Sequence, residues 1–418
     1  MKIICNLMVA GFFALNLWEA NFLSAQEWTR FRGPNGSGVG EAKNLPDKWE
    51  KTDFVWEAKL PGTGHASPVV WGEKLFVTCA DDKTGTRRVV CLSTVDGKLL
   101  WSQDFTSTKH KKHQKNSFAT STAAVDEQHV YVCWGTPEEF IFMALNHAGE
   151  QVWKRDLGPF VGGHGSGASP IVFEDMVILP NDKDKDNYLL AVDRLTGADR
   201  WKLTRNGRRA SYSTPCIYQA AGETPLAIFT DWEQGITGVD ARTGVKKWEI
   251  DLFGHDETKR AIGSPVIADQ LVIATCGFTT ATKLAVAVRP NATGDAVQEV
   301  YRLDRSVPHI PTPLVYNNLL FLWADNGIVS CVDAATGESY WQKRLGGVFC
   351  GSPVCADQKL YGVSEDGDVH ILRASKEYEE LGKNSLAEGS RSTPAVAGGK
   401  LFIRTFSHVY CIGPRSQK

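Results

Sequence analysis

His65, His164, Arg209, Tyr212, Lys259, Arg260, His309, Cys350 and Arg391 stand just ahead of a recurring step in which a small hydroxyl residue precedes proline. Phe118 holds the same place before Thr122-Ala123, the one copy without proline. Residues at one position of a repeat array share one face of it, so these side chains are expected to ring a single opening. Guanidinium groups offer forked donors to planar anions, and cations gathered locally in a near-neutral chain focus field on an anionic group. A carboxylate, a phosphate or an acidic peptide segment would suit them. The competing reading is that they bond loop carbonyls and stabilise the crossovers between repeats. The imidazoles of His65, His164 and His309 can also meet a metal ion where their rims converge, but no ligand-spacing motif supports this and no metal is assigned.

Other groupings carry less. Asp182-Lys183-Asp184-Lys185-Asp186-Asn187 imitates half of a calcium loop, with Asp193 at its twelfth position. Asn187 replaces the turn glycine and the lysines oppose a cation, so a solvated hairpin loop is expected. Lys109, Lys111, Lys112 and Lys115, with His110 and His113, form a basic loop read as a solvated face. Asp231 and Glu233 beside Trp232 are the nearest acidic pair, and a surface turn explains them equally well. The glycines from Gly33 to Gly40 lead into Glu41-Ala42-Lys43-Asn44, not a helix, so a phosphate cradle is excluded and a strap packed on the fold is expected.

The elements that position these residues repeat. The steps begin at Ser67, Thr122, Ser169, Thr214, Ser264, Thr312, Ser352 and Thr393, separated by 55, 47, 45, 50, 48, 40 and 41 residues. That is the length of a four-stranded propeller blade. Short apolar or alternating runs such as Leu75-Phe76-Val77 and Leu271-Val272-Ile273 follow each start, broken by Gly, Asn and Asp turns. Each unit ends on a second motif, seen at Asp193-Arg194-Leu195-Thr196-Gly197 with Trp201, at Asp240 to Trp248 and at Asp333 to Trp341. Asp and Thr bond the turn amides, Gly takes the left-handed position, and the next strand carries the indole. Trp101, Trp153 and Tyr301 close looser copies, and the seventh copy decays around Ser375 to Tyr378. These rings, with Trp56, are expected to cement neighbouring blades. Cys91, Cys331 and Cys411, with Ala144, Ala191, Gly238 and Ala285, occupy a small-residue register of the strand before the ring. The eighth unit lacks its last strand, and Trp56-Glu57-Ala58-Lys59-Leu60 matches the missing piece. The predicted fold is therefore all-β, an eight-bladed β-propeller of four-stranded antiparallel blades, its ring closed by the N-terminal strand.

The 418 residues carry 46 Lys+Arg against 48 Asp+Glu, which excludes bulk electrostatic capture of nucleic acid. Residues 1–25 read as a secretory signal: Lys2, an apolar run from Ile3 to Leu17, then Leu23-Ser24-Ala25. The run is short of the roughly 20 residues a membrane span needs, so no stable span is expected. Residues 26–50 are expected as the strap, 51–413 as the propeller, and the mature chain as exported, periplasmic or extracellular. Nine of the ten cysteines would remain after cleavage, without CxxC or CxxCH. Small buried thiols are expected, and a bridge between Cys350 and Cys355 is the lesser alternative.

The Asp-x-x-Thr-Gly-x-x-x-Trp repeat and its Ser/Thr-Pro strand openings resemble the pyrroloquinoline-quinone-type (PQQ-like) eight-bladed propellers across about residues 50 to 413. Trp28-Thr29-Arg30-Phe31-Arg32-Gly33-Pro34-Asn35-Gly36-Ser37-Gly38 is similar to the opening of exported bacterial members. The resemblance implies one of two functions: a non-catalytic scaffold like the BamB-type assembly factors, or a quinoprotein oxidoreductase holding PQQ beside calcium and oxidising alcohols or sugars. The dehydrogenases imply a vicinal cysteine pair and acidic calcium ligands at the opening. This chain has no Cys-Cys pair, and the opening positions named above include no carboxylate. A BamB-type lipoprotein implies a lipidation Cys after the signal, and none stands there. The expectation is a scaffold that binds a protein or cell-envelope component, with an anionic small ligand as a further possibility, and no cofactor.

Overall fold

A computed structural model describes residues 27–414, apart from 221, 255–257 and 292. The signal segment at 1–25 lies outside the described residues. Eight four-stranded antiparallel sheets form the ring, and each of the first seven is built from consecutive strands. Blade 1, for example, runs Val69–Trp71, Lys74–Ala80, Arg87–Ser93 and Leu99–Phe105 from hub to rim. The central strands are buried on both faces, whereas the outer strand of most blades buries one aromatic residue and exposes its neighbours. The eighth blade takes Phe54–Lys59 as its outer strand, paired to His408–Ile412 with Trp56 opposite Cys411. The ring is thus closed by the strand that the sequence placed there, which leaves no open blade. Among the described residues no helix is long and apolar enough to cross a membrane.

Each outer-strand ring docks on the next blade. The indole Nε1–H groups of Trp56, Trp101, Trp153, Trp201 and Trp341 donate to the carbonyls of Thr94, His147, Arg194, Ala241 and Ser375 at 3.0–3.1 Å, and Tyr301 Oη–H donates to Ala334 O at 2.9 Å. Trp248 is buried between blades 4 and 5 with Val272 and Val286. The hairpin glycine explains itself here: Gly244 has φ +74, and a Cβ on it would stand 2.7 Å from the Trp201 ring. The motif is one device split between two blades, since the glycine of one accepts the ring of the blade before it.

Two registers differ from expectation. Ala287, not Ala285, faces Tyr301, because the fifth hairpin is longer and moves the register by two. In blade 7 the ring position opposite Ile371 is held by Gly382, not Tyr378, and Trp49 of the leading segment is buried in the same cluster as Ile371. Tyr378 packs edge-on against Trp341 at 5.3 Å.

The hydroxyl step proves to be a closed belt. Each backbone N–H of Ser67, Thr122, Ser169, Thr214, Ser264, Thr312, Ser352 and Thr393 donates to the hydroxyl oxygen of the next, and Thr393 N–H returns to Ser67 Oγ, all at 2.9–3.2 Å. The following residue needs no donor at this edge, so proline is tolerated there. Innermost strands still present bare edges to the axis, and the segment 28–40 covers them. Trp28 exchanges both backbone bonds with Val70, Thr29 O accepts from Val125 N–H, Asn35 bonds both ways with Ile217, and Gly38 and Gly40 bracket Cys355. Arg30 donates to Pro215 O, and the fully buried Arg32 reaches the carbonyls of Thr312, Pro313 and Pro353. Edge groups that would otherwise be buried without partners are satisfied by these arginines.

Candidate functional site: a blind cup on the propeller axis

The loops that lead into the belt rise around the end of the axis opposite the strap. They enclose a cavity of about 630 Å³ with Phe31 of the strap at its closed end and seven of the belt residues in its wall. His65, His164, Tyr212, Arg260, His309, Cys350 and Arg391 all line it, as the repeat position predicted. Arg209 does not; it is half-buried to one side, its charge still felt at His164 and Arg260. Phe118 is buried with Ala80 and Ala119 beneath the Arg87 guanidinium, and Lys259 Nζ turns away to donate to Phe253 O at 2.8 Å.

The positions named from the sequence hold no carboxylate, but the structure brings two from other positions to the same end of the axis. Asp325 lines the cup, and Glu365 stands behind its lining, bonded to the lining residues Lys115, Cys350 and Arg391. Both come from the turn between the second and third strands of their blades, which reaches the same end of the axis as the loops before the belt. Asp325 Oδ2 accepts from His309 N–H at 2.7 Å and Lys283 Nζ at 3.1 Å, and Oδ1 accepts from Ile310 N–H at 3.0 Å. Glu365 Oε1 accepts from Lys115 Nζ at 2.8 Å and Cys350 Sγ at 2.9 Å, and Oε2 from Arg391 Nε and Nη2 at 3.0 and 2.8 Å.

Lys115 corrects a second expectation. The basic loop 106–117 is not simply a solvated face: His113, Gln114, Lys115 and Asn116 line the cup. Gln114 O accepts from Arg391 Nη1 at 2.9 Å, so a segment entering from blade 1 is tied across the mouth to blades 7 and 8.

Burial and the surrounding cations lower the proton affinity of His65, His164 and His309. His65 is pushed down to about 3 by burial and by Arg391, Arg404 and Lys112, and His309 down to about 4, chiefly by burial. Burial, then His113, lowers His164, whose ring lies 4.9 Å from that of His113. Burial would raise Glu365, but its bonds to Cys350, Lys115 and Arg391 win and hold it at about 2. Burial and the Glu365 carboxylate push the Cys350 thiol up, so it is a donor and not a nucleophile. Phe31, Tyr212 and Phe278 give the cup an aromatic lining, and Lys115, Arg260, Lys283 and Arg391 in its wall outnumber Asp325 and Glu365.

The remaining acidic candidates lie elsewhere. Asp182, Lys183 and Asn187 are buried, not a solvated loop: Asp182 pairs with Arg205 at 3.0 Å, and Lys183 Nζ donates to Pro159 O. Burial raises Asp182 and the neighbouring Asp231 adds to the rise. Asp231 is itself buried; its Oδ1 caps the hairpin by accepting from Glu233 and Gln234 N–H, while Glu233 pairs with Arg208. Neither enters the cup. The nine described cysteines are all free, Cys350 and Cys355 included.

Calcium beside a quinone would need oxygen ligands not already spoken for. Asp325 and Glu365 are both consumed by internal cations and amides, and among the described residues no group of three or more His, Cys, Asp or Glu side chains is placed to hold a metal. The donor set of the cup therefore does not fit a calcium–quinone pair.

An axial cup set in a closed ring of eight four-stranded blades defines the class of eight-bladed β-propellers. The family described as outer membrane protein assembly factor BamB matches residues 50–132, 109–297 and 286–405, and the chain belongs to that family. No curated protein matches the sequence. Among solved structures, BamB from Moraxella catarrhalis superposes with a TM-score of 0.61 at 15% identity, over 87% of this chain and 97% of that one. Quinohemoprotein alcohol dehydrogenase from Comamonas testosteroni gives 0.68 at 12% identity, over 94% and 81%. The computationally designed Ika8 protein gives 0.61 at 11%, over 85% and 98%. At such identities the likeness is one of fold alone.

Proposed function

We propose that the protein is an exported, non-catalytic propeller scaffold that binds a protein or cell-envelope partner through its rim, and receives an anionic group of that partner or of a small ligand in its basic cup. The observation that carries this reading is the state of the cup's carboxylates. A hydride-transferring site needs a carboxylate or imidazole free to act as base at neutral pH. Asp325 and Glu365 are locked in ion pairs, and His65 and His309 sit behind burial that keeps them poor proton acceptors. Anion capture asks less, namely surplus cations around a concave basin.

The opposing reading, a PQQ-dependent oxidoreductase of alcohols or sugars, draws support from the aromatic lining of the cup by Phe31, Tyr212 and Phe278. Titration of the purified chain with PQQ and calcium, followed by dye-linked oxidation of alcohols and sugars, separates the two. The scaffold reading expects neither stoichiometric quinone binding nor turnover. Both together would replace it with the enzyme.

A further inference from the structure

Glu365 holds four donors that come from three separate parts of the chain: Lys115 from the 106–117 segment, Cys350 from the loop into blade 7, and Arg391 from the loop into blade 8. All three residues line the cup. A carboxylate is thus already seated on the cations of the mouth, with two donors on each oxygen. His309 lines the same basin, and its buried Nδ1 has no hydrogen-bond partner. A cavity of about 630 Å³ is far larger than one carboxylate and falls in the range of small-molecule sites, roughly 300–1,000 Å³.

We propose that the cup binds a carboxylate-bearing ligand and that Glu365 is its built-in competitor: the ligand's carboxylate displaces Glu365 from Lys115 and Arg391, and its uncharged part lies among His65, His164 and His309. This rests on the anion-capturing reading of the cup. Carboxylate is favoured over phosphate because the internal occupant is itself a carboxylate, and its four donors are disposed for two planar oxygens. Displacement has a mechanical consequence. Lys115 ties the 106–117 segment to Glu365, so exchange of one carboxylate for another keeps that tie, whereas loss of Glu365 alone loosens the segment and leaves it the bond from Arg391 Nη1 to Gln114 O.

The test is calorimetric titration of the full chain with citrate, and in parallel with inorganic phosphate, at low ionic strength. Glu365→Gln is expected to bind citrate at least fivefold more tightly than the parent, Glu365→Asp to fall between, and phosphate to bind more weakly than citrate in each. Hydrogen exchange across 106–117 is expected to rise in Glu365→Gln and to be suppressed again by citrate. A Glu365 that only pins the loop would raise exchange without raising affinity, which overturns the competitor role. Equal citrate affinity in parent and both variants overturns it also, while leaving anion capture standing. Preference for phosphate overturns the carboxylate assignment. Absence of binding by either probe to the parent and to both variants removes the anion reading itself.

Discussion

Removing Trp201 and altering Gly244 together tests whether ring and glycine form one joint between blades 3 and 4. Trp201 is 7% exposed, donates to Ala241 O at 3.0 Å, and packs in one cluster with Ile178, Ala191, Phe229 and Val239. Burial of about 200 Å² of indole at about 25 cal/mol per Å² corresponds to about 5 kcal/mol. Partial collapse of the cavity brings the expected cost of Trp201→Ala to about 3–5 kcal/mol. Gly244→Ala acts on the same joint from the other blade. Its φ of +74 costs an L-residue about 1 kcal/mol, and the new Cβ at 2.7 Å must push the indole aside for about 1–2 kcal/mol more. In the Trp201→Ala background only the backbone cost remains, so the two substitutions should be less than additive by about 1–2 kcal/mol. Urea unfolding followed by far-ultraviolet circular dichroism on the four-protein cycle measures this. Additivity within about 0.5 kcal/mol, or a Trp201→Ala cost below about 0.5 kcal/mol, would refute the joint.

Two further outcomes follow from the belt and from the buried imidazoles. Ser264→Ala deprives Thr214 N–H of its acceptor at 3.0 Å and should destabilise by about 1–3 kcal/mol, whereas Ser264→Thr keeps the hydroxyl; equal denaturation midpoints for the two would show the belt bonds to be dispensable. His65 and His309 have native pKa values of about 3 and about 4 against 6.5, so below 6.5 the unfolded chain binds more protons and native stability falls until the native values are reached. At 1.36 kcal/mol per unit the loss near pH 4.5 amounts to a few kcal/mol, and His65→Asn should flatten the fall of the thermal midpoint with acidification; an unchanged slope would contradict the assignment.

The ring was legible because its determinants recur at a fixed position in each blade. Ser/Thr-Pro and Asp-Thr-Gly-Trp each join neighbouring blades, so the same side chain is demanded about every 40 to 55 residues and shows as a period. Closure was legible for the same reason, as Trp56 repeats the missing strand. What the hydroxyls do was not legible, since each bond links residues of different blades. The cup was half legible. Residues before the belt were found, but Asp325 and Glu365 were missed because their turn is a second, less regular approach to the same end of the axis. A signal existed in Ala324-Asp325-Asn326-Gly327 and Ser364-Glu365-Asp366-Gly367, two acidic turns at matching places in consecutive blades. Lys115 carried no such signal, because a polar loop has no period to fix where it lands. Asp182 misled for the opposite reason: it looks solvated among lysines until Arg205 and Asp231 cover it.

The division of labour between belt and rim bears on what such a ring can be made to bind. Belt hydroxyls and strap arginines bond the backbone of the inner strands, and none of those bonds runs through the charged or imidazole side chains that face the cup. Glu365, Arg391, Lys115 and the imidazoles sit on the loops above that layer, and each is held by its neighbours in the cup more than by the blade that carries it. Changing these side chains therefore alters the cup's charge and shape while leaving the closed ring intact. The strap completes the arrangement: Phe31 adds an aromatic ring to the wall of the cup at the level of the belt, where a group that enters would meet it.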